Sequence, residues 1–190
     1  MQAFALHHPA RAQRGVTLIE LLVVMAISAL LMGLAAPSMR EFVGKWQLSN
    51  ALNAYNSSLQ LARSEAVKRG RVVRMCRSSD GAACATAAAT KGWATGWLVY
   101  VDNDATGALS TPDQVVITQG EFSNFSSITP STLGATGTFA FTPTGFMQGG
   151  AASEAVTFSW DSANTIQKTL CISKTGRSRI VAAATCGTAY

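Results

Sequence analysis

Histidine is nearly missing from this chain. Only His7 and His8 occur in 190 residues, both close to the start. Removal of the N-terminus therefore takes away every imidazole, and with it the commonest general base, the Ser-His and Cys-His pairs and the usual nitrogen metal ligand. No phosphate-cradling G-x-x-x-x-G-K and no C-x-x-C spacing occurs either, which works against nucleotide and zinc chemistry. An enzyme is not expected, and neither a cofactor nor a metal. Charge is scarce too. At 13% charged and 48% hydrophobic, the chain is too apolar for disorder and too weakly charged for an acidic or basic tail. Its balance is +5, from 15 Lys+Arg against 10 Asp+Glu, which permits a polyanionic partner without requiring one. The length suits one modest domain plus an accessory segment.

What is abundant comes first. Val16–Ala36, VTLIELLVVMAISALLMGLAA, is apolar or small throughout except for Glu20, and a run of about 20 such residues can span a bilayer. Arg11 and Arg14 precede it with no acid, so residues 1–15 stay cytoplasmic and everything after Pro37 lies across the membrane. A secretory signal cut after Ala35 is the plainer reading. It fits poorly, because the stretch exceeds the usual h-region of roughly 7–15 residues. A disposable signal also gains nothing from a carboxylate that costs roughly 2.5–3.5 kcal/mol at membrane depth.

The segment Arg14-Gly15-Val16-Thr17-Leu18-Ile19-Glu20-Leu21-Leu22-Val23-Val24 resembles the leader junction of type IV pilins and type II secretion pseudopilins. The resemblance implies cleavage after Gly15 by a prepilin peptidase and methylation of the new N-terminus at Val16, where phenylalanine is more usual in the family. It further implies that the apolar helix is retained and that Glu20 is the assembly carboxylate, paired with the free amine of a neighbouring pilin subunit. Such a protein sits in the inner membrane with its head in the periplasm, then enters a pilus at the cell surface.

Gly33 and Pro37 are expected to interrupt the helix. Beyond them Phe42, Trp46, Leu52, Tyr55, Leu59, Ala62 and Ala66 recur at mostly three- and four-residue steps, the stripe of an amphipathic helix, with Gly70 as its stop. The period then changes. Strands are expected at Arg71–Arg77, Thr95–Asp102, Gln114–Gln119, Thr138–Thr142, Ala155–Trp160, Lys168–Ser173 and Arg179–Ala183, between turn-rich stretches. The Ala/Ser/Thr/Gly-rich stretches at 82–92 and 123–137 read as surface loops. The fold class is thus α+β. A leader (1–15) precedes a membrane and assembly helix (16–36), its amphipathic half (37–69) and a small antiparallel head (70–190).

Local signatures narrow the family. Ala62-Arg63-Ser64-Glu65-Ala66-Val67-Lys68-Arg69, Cys76-Arg77-Ser78-Ser79-Asp80-Gly81, Gly96-Trp97-Leu98-Val99-Tyr100-Val101-Asp102, Phe141-Thr142-Pro143-Thr144-Gly145 and Cys171-Ile172-Ser173-Lys174-Thr175-Gly176 together resemble the GspH/FimT group of minor pilins and pseudopilins, across essentially the whole chain. All four cysteines follow the membrane segment, where disulfides are permitted. Three connectivities are possible, and Cys76–Cys84 with Cys171–Cys186 is preferred because each pair brackets a local turn or hairpin. Asp102 and Asp104 resemble the start of a calcium loop, but without recognisable following ligands the stretch reads as a turn.

The sharpest feature of the head is Gly176-Arg177-Ser178-Arg179. In an extended strand Arg177 and Arg179 leave from one face, Gly176 allows a tight turn, and Lys174 and Lys168 stand nearby with no acid after Asp161. Two guanidinium forks on one ridge suit successive phosphates; a solvated strand face is the plainer alternative. The pattern resembles the motif with which FimT-type minor pilins bind DNA in natural transformation. That implies a double-stranded DNA partner held through its phosphates without base recognition. The rival function is a structural or priming minor pilin, or a secretion pseudopilin, that binds no DNA. Lys68, Arg69, Arg71, Arg74 and Arg77 either extend the basic footprint or solvate the helix-to-strand junction, and the second reading is preferred. Trp93, Trp97 and Trp160 offer stacking faces, yet core packing is the better expectation.

Overall fold

Thr17 starts the long helix. The computed structural model describes residues 15–87, 89–132, 137–148, 153–182 and 186, without the side chains of 34–37. Leader residues 1–14 and the side chain of Pro37 lie outside that set. Helix α1 runs Leu18–Arg69. The amide of Glu20 donates to Thr17 Oγ1 at 3.3 Å, satisfying a donor that a helix start otherwise leaves open, and that of Leu21 makes the first helical bond, to the Thr17 carbonyl at 3.2 Å.

The chain divides into two compact units, Met1–Arg40 and Glu41–Tyr190. In the first, the large apolar side chains from Val16 to Met32 are exposed. Among the described residues no single helix is long and apolar enough to cross a membrane; Leu18–Gly33 and Ser38–Arg69 meet that requirement together, by length and composition.

In the second unit α1 buries Gly44, Leu48, Ala51, Leu52, Tyr55, Ser58, Leu59, Ala62 and Ala66, an unbroken three-and-four spacing. Phe42 and Trp46, expected on this stripe, are 66% and 61% exposed. Each lies two residues from Gly44, about 200° around the helix, so burying Gly44 turns both outward. Gly44 takes the buried place because a Cβ there comes within 2.9 Å of both Trp160 and Ile166. Gly70, at φ 64°, lets the Arg71 amide turn back to the Ala66 carbonyl at 3.3 Å, a left-handed helix end.

Among the described residues nine strands follow: β1 (Val73–Arg77), β2 (Trp97–Val101), β3 (Gln114–Gln119), β4 (Ser127–Pro130), β5 (Thr138–Phe141), β6 (Met147–Gln148), β7 (Ser153–Ser159), β8 (Gln167–Ser173) and β9 (Ser178–Val181). They form two sheets, ordered β3-β2-β1-β5-β6 and β4-β7-β8-β9, with antiparallel strand pairing throughout. Six of the seven expected strands are present with shifted ends and Gln114–Gln119 has the expected bounds; Ala183, the expected end of the last, lies outside the described residues. Thr95 belongs to a one-turn 3-10 helix, Trp93–Thr95, not to β2. Strands β4 and β6 were not expected, and β4 corrects the reading of 123–137 as loop. Ile128 and Pro130 are buried there, and Ser127–Pro130 pairs in register with Val156–Ser159. Hydroxyl-rich composition hides a strand whose buried residues are so few.

Both sheets pack one face into a common core with α1. Val73, Met75, Val99, Phe139 and Phe141 come from the first sheet, and Ile128, Val156, Phe158, Leu170 and Ile172 from the second. Tyr55 stands between them. Its ring meets Trp97, Phe158, Trp93 and Phe139 edge to face, at centroid distances of 5.0, 5.4, 5.6 and 6.1 Å. Burial, reinforced by the Glu154 carboxylate, pushes the Tyr55 hydroxyl well above its usual range. That hydroxyl and Trp93 Nε1 have no hydrogen-bond partner, whereas Trp97 Nε1 donates to Ser58 Oγ at 2.9 Å. On the outer face of the first sheet Cys76, Leu98 and Tyr100 are covered by Cys84 and Leu109, which is why every residue of β2 is buried.

Candidate nucleic-acid interface

Strands β8 and β9 join through a tight turn. The Ser173 amide donates to the Arg177 carbonyl, and the Gly176 amide to the Ser173 carbonyl, each at 2.9 Å. The turn closes because Gly176 adopts φ 75°, a region open to glycine at little cost. Ser173 Oγ accepts the Arg177 amide at 3.1 Å.

Helix α1 holds this turn from the side. Gln60 Nε2 donates to the Gly176 carbonyl at 3.2 Å, and Ser178 Oγ donates to Asn56 Oδ1 at 2.6 Å. Arg63 Nε donates to the Gly145 carbonyl at 3.0 Å. The same Arg63 lies so close that a Cβ on Gly176 would meet its Cδ at 2.9 Å. Since Ser178 faces the helix, the pleat sends its neighbours Arg177 and Arg179 to the opposite face. Both are exposed, as is Lys174.

Arg179 opposes Cys171 in register, and Cys171 is joined to Cys186 with Cα atoms 5.7 Å apart. The other disulfide, Cys76–Cys84, spans 5.6 Å between Cα atoms. Opening the Cys171–Cys186 loop by Cys171→Ser/Cys186→Ser is expected to lower stability by about 3 kcal/mol, the loop entropy of some 15 residues. Urea unfolding of wild type and variant measures it, and equal midpoints would refute it.

The structure thus gathers Lys174, Arg177 and Arg179 at one hairpin end. Lys168 is not among them. It is exposed, but it alternates in phase with Leu170 and Ile172, whose side chains enter the core, so it leaves the other face of β8. Asn56, Gln60 and Arg63 were not singled out as site residues from sequence. The available signal was the pair of Thr-Gly turns, Thr144-Gly145 and Thr175-Gly176, whose glycines both carry positive φ and both abut Arg63.

The second basic cluster is engaged locally. Arg69 Nε lies 2.5 Å from Glu65, with Lys68 3.7 Å from the same carboxylate. Arg71 donates to the Asn103 carbonyl at 2.9 Å, and Arg74 pairs with Asp102 at 2.7 Å. Arg77 is buried and donates to the Ala87 carbonyl; burial lowers its pKa. These side chains fix the junction between helix and sheet. Trp93 and Trp97 are fully buried, and Trp160 Nε1 donates to Gln47 Oε1 at 2.6 Å, so no stacking platform forms from them. At the other end of the chain, Gly15, Val16 and Glu20 are exposed beside the capped start of α1.

The family model described as type II transport protein GspH matches residues 51–176. The chain belongs to the GspH family. A second model, the prokaryotic N-terminal methylation motif, matches residues 10–36 of this GspH-family chain. A crystal structure of the type IV minor pilin FimU from Pseudomonas aeruginosa is similar in fold, at TM-score 0.52 and 20% identity over 74% of this chain and 92% of that one. A second crystal form of the same pilin gives TM-score 0.48 and 21% identity over 70% and 92%. No curated protein matches the chain. The GspH-family protein is accordingly a minor pilin or pseudopilin, a membrane-anchored structural subunit and not an enzyme. Processing by a prepilin peptidase and assembly with other pilins come with that family. The GspH match ends at Gly176, so Arg177 and Arg179 lie just beyond it.

Proposed function

We propose that this minor pilin captures double-stranded DNA through Arg177 and Arg179, with Lys174 beside them, during natural transformation. Inserted in the inner membrane, it is cut after Gly15, methylated at Val16 and drawn into a type IV pilus through Glu20. The observation that carries the DNA reading is the hairpin itself. Two exposed guanidinium groups alternate off one strand while the intervening Ser178 is tied to Asn56, so the forks are preset without depending on a flexible loop. Contacts of this kind read phosphate and not base. The mechanism is electrostatic capture followed by movement of the fibre, with no bond made or broken at the head.

A second reading, a secretion pseudopilin without affinity for DNA, is favoured by the type II transport description of the matching family. One titration separates them. Residues 41–190, the unit with its own core, are titrated with duplex DNA at several salt concentrations. Three engaged cations give a slope of about −3 in log K against log salt, and Arg177→Ala/Arg179→Ala reduces it to about −1 while lowering affinity roughly tenfold or more at low salt. No binding by the wild type at low salt, or an unchanged slope in the variant, leaves the pseudopilin reading.

A further inference from the structure

The connection between β2 and β3 runs from Asp102 to Asp113, and the structure does more with it than close a turn. One carboxylate oxygen each from Asp102, Asp104 and Asp113 lies within 4.8 Å of the others. The acid that completes the group, Asp113, stands twelfth in a stretch that starts at Asp102. The stretch reads Asp102, Asp104, Thr106, Gly107, Ala108, Ser110, Asp113 at its first, third, fifth, sixth, seventh, ninth and twelfth places. Those are the ligand places and the glycine place of a twelve-residue calcium loop, with aspartate where glutamate usually ends it. Gly107 has the required bend, at φ 80°. Reading Asp102-Asn103-Asp104 as a simple turn left out this more distant partner.

An acidic cluster alone proves nothing, and much of this one is engaged internally. Asp104 accepts the Thr106 amide at 3.0 Å and Ser110 Oγ at 2.7 Å. Asp113 accepts the Asn103 amide at 2.7 Å and the Ser110 amide at 3.1 Å. Asp102 is different. It is only 3% exposed, and its Oδ2 takes Arg74 Nε at 2.7 Å and the Gly107 amide at 3.2 Å. Its Oδ1 is buried with no donor at all. A buried polar oxygen without a partner is expensive, and this one belongs to one of the three clustered carboxylates. The cations facing the loop are Arg74, on Asp102, and Arg71, which donates to the Asn103 carbonyl at 2.9 Å. Among the described residues Arg74 alone forms an ion pair with one of the three carboxylates, so the cluster keeps an excess of negative charge.

We infer that the Asp102–Asp113 loop binds a single divalent cation, calcium in preference to magnesium, with Asp102, Asp104 and Asp113 as its carboxylate ligands. An all-oxygen set drawn from a loop, with backbone carbonyls and hydroxyls beside it, suits the larger and less rigid coordination sphere of calcium. Binding ties the β2–β3 connection, whose Leu109 covers Tyr100 on the outer face of the sheet, at the millimolar calcium found outside cells.

The test uses the full chain in detergent micelles, stripped with chelator and titrated with calcium chloride by calorimetry. One calcium per chain is expected, with Kd on the order of 10⁻⁴–10⁻³ M, as in extracellular modules. Asp104→Asn/Asp113→Asn keeps the Arg74–Asp102 pair and is expected to weaken binding about tenfold or more. Terbium luminescence gives an independent readout, since Tyr100 donates to the Gly107 carbonyl at 3.1 Å and stands close enough to sensitise an ion in the loop. Asp113→Asn alone serves if the double variant fails to fold. The inference is overturned if the wild type takes up no calcium to about 10 mM, if the aspartate variants bind as tightly, or if terbium bound to wild type shows no tyrosine-sensitised emission.

Discussion

Tyr55→Ala lowers the unfolding free energy of the head by about 3–5 kcal/mol, a large share of the 5–15 kcal/mol typical of a folded domain. The ring touches aromatic side chains of both sheets from its place on the helix. It meets Trp93, Trp97 and Phe139 on one side and Phe158 of the second sheet on the other, all edge to face. Such pairs contribute roughly 0.5–1.5 kcal/mol each beyond the area they bury. Because its neighbours come from four separate elements, the space left by truncation is not refilled by one side chain changing rotamer. Tyr55→Phe separates ring from hydroxyl. The hydroxyl is buried without a partner, so its removal is expected to leave stability unchanged or raise it by about 1 kcal/mol. Urea unfolding of residues 41–190 reads both variants. A Tyr55→Phe loss above about 1 kcal/mol would mean that the hydroxyl is hydrogen-bonded in solution.

What the sequence shows of this fold is what periodicity can carry. Tyr55, Leu59, Ala62 and Ala66 repeat at helical steps and are buried as read, and Gln114–Gln119 is a strand with the boundaries expected. The failures have two causes. Phe42 and Trp46 look like core because they are large and apolar, yet the helix phase is set by Gly44, whose missing side chain admits Trp160 and Ile166. No hydropathy pattern marks a residue that is buried for lack of atoms. Strand β4 escapes for the converse reason, since Ser127 and Thr129 alternate with Ile128 and Pro130 in a stretch dominated by polar residues.

The site divides the same way. The Gly176-Arg177-Ser178-Arg179 pattern is local and can be read directly. Its support from Asn56 and Gln60 spans well over a hundred positions of chain, and only the folded register reveals it. Lys168 was grouped with the arginines by proximity in sequence, but strand parity places it on the other face. For the three aspartates distance in sequence conceals a proximity in space. Asp113 is eleven positions from Asp102, and the hairpin between β2 and β3 returns it to the same spot.

Glu20 sets two physical roles against each other, and substitution can tell them apart. Thr17 and Glu20 occupy the first and last places of a capping box, and the Glu20 amide bonds Thr17 Oγ1; glutamine serves in that box as well as glutamate. If the carboxylate only caps the helix, Glu20→Gln is silent and Thr17→Ala costs about 1 kcal/mol. Under the proposed processing, the charge itself matters, because it neutralises the amine that cleavage creates at Val16 on a neighbouring subunit. Loss of one member of a buried pair costs about 3–5 kcal/mol, equivalent to roughly 150- to 5,000-fold less incorporation. Glu20→Gln is then expected to be as damaging as Glu20→Ala, while Thr17→Ala still assembles. The ratio of protein in sheared fibres to protein left in the membrane measures all three. Normal incorporation of Glu20→Gln would remove the ion pair from the assembly and leave the carboxylate as a helix cap. A charge-dependent loss would instead explain why a glutamate stands in an otherwise apolar segment.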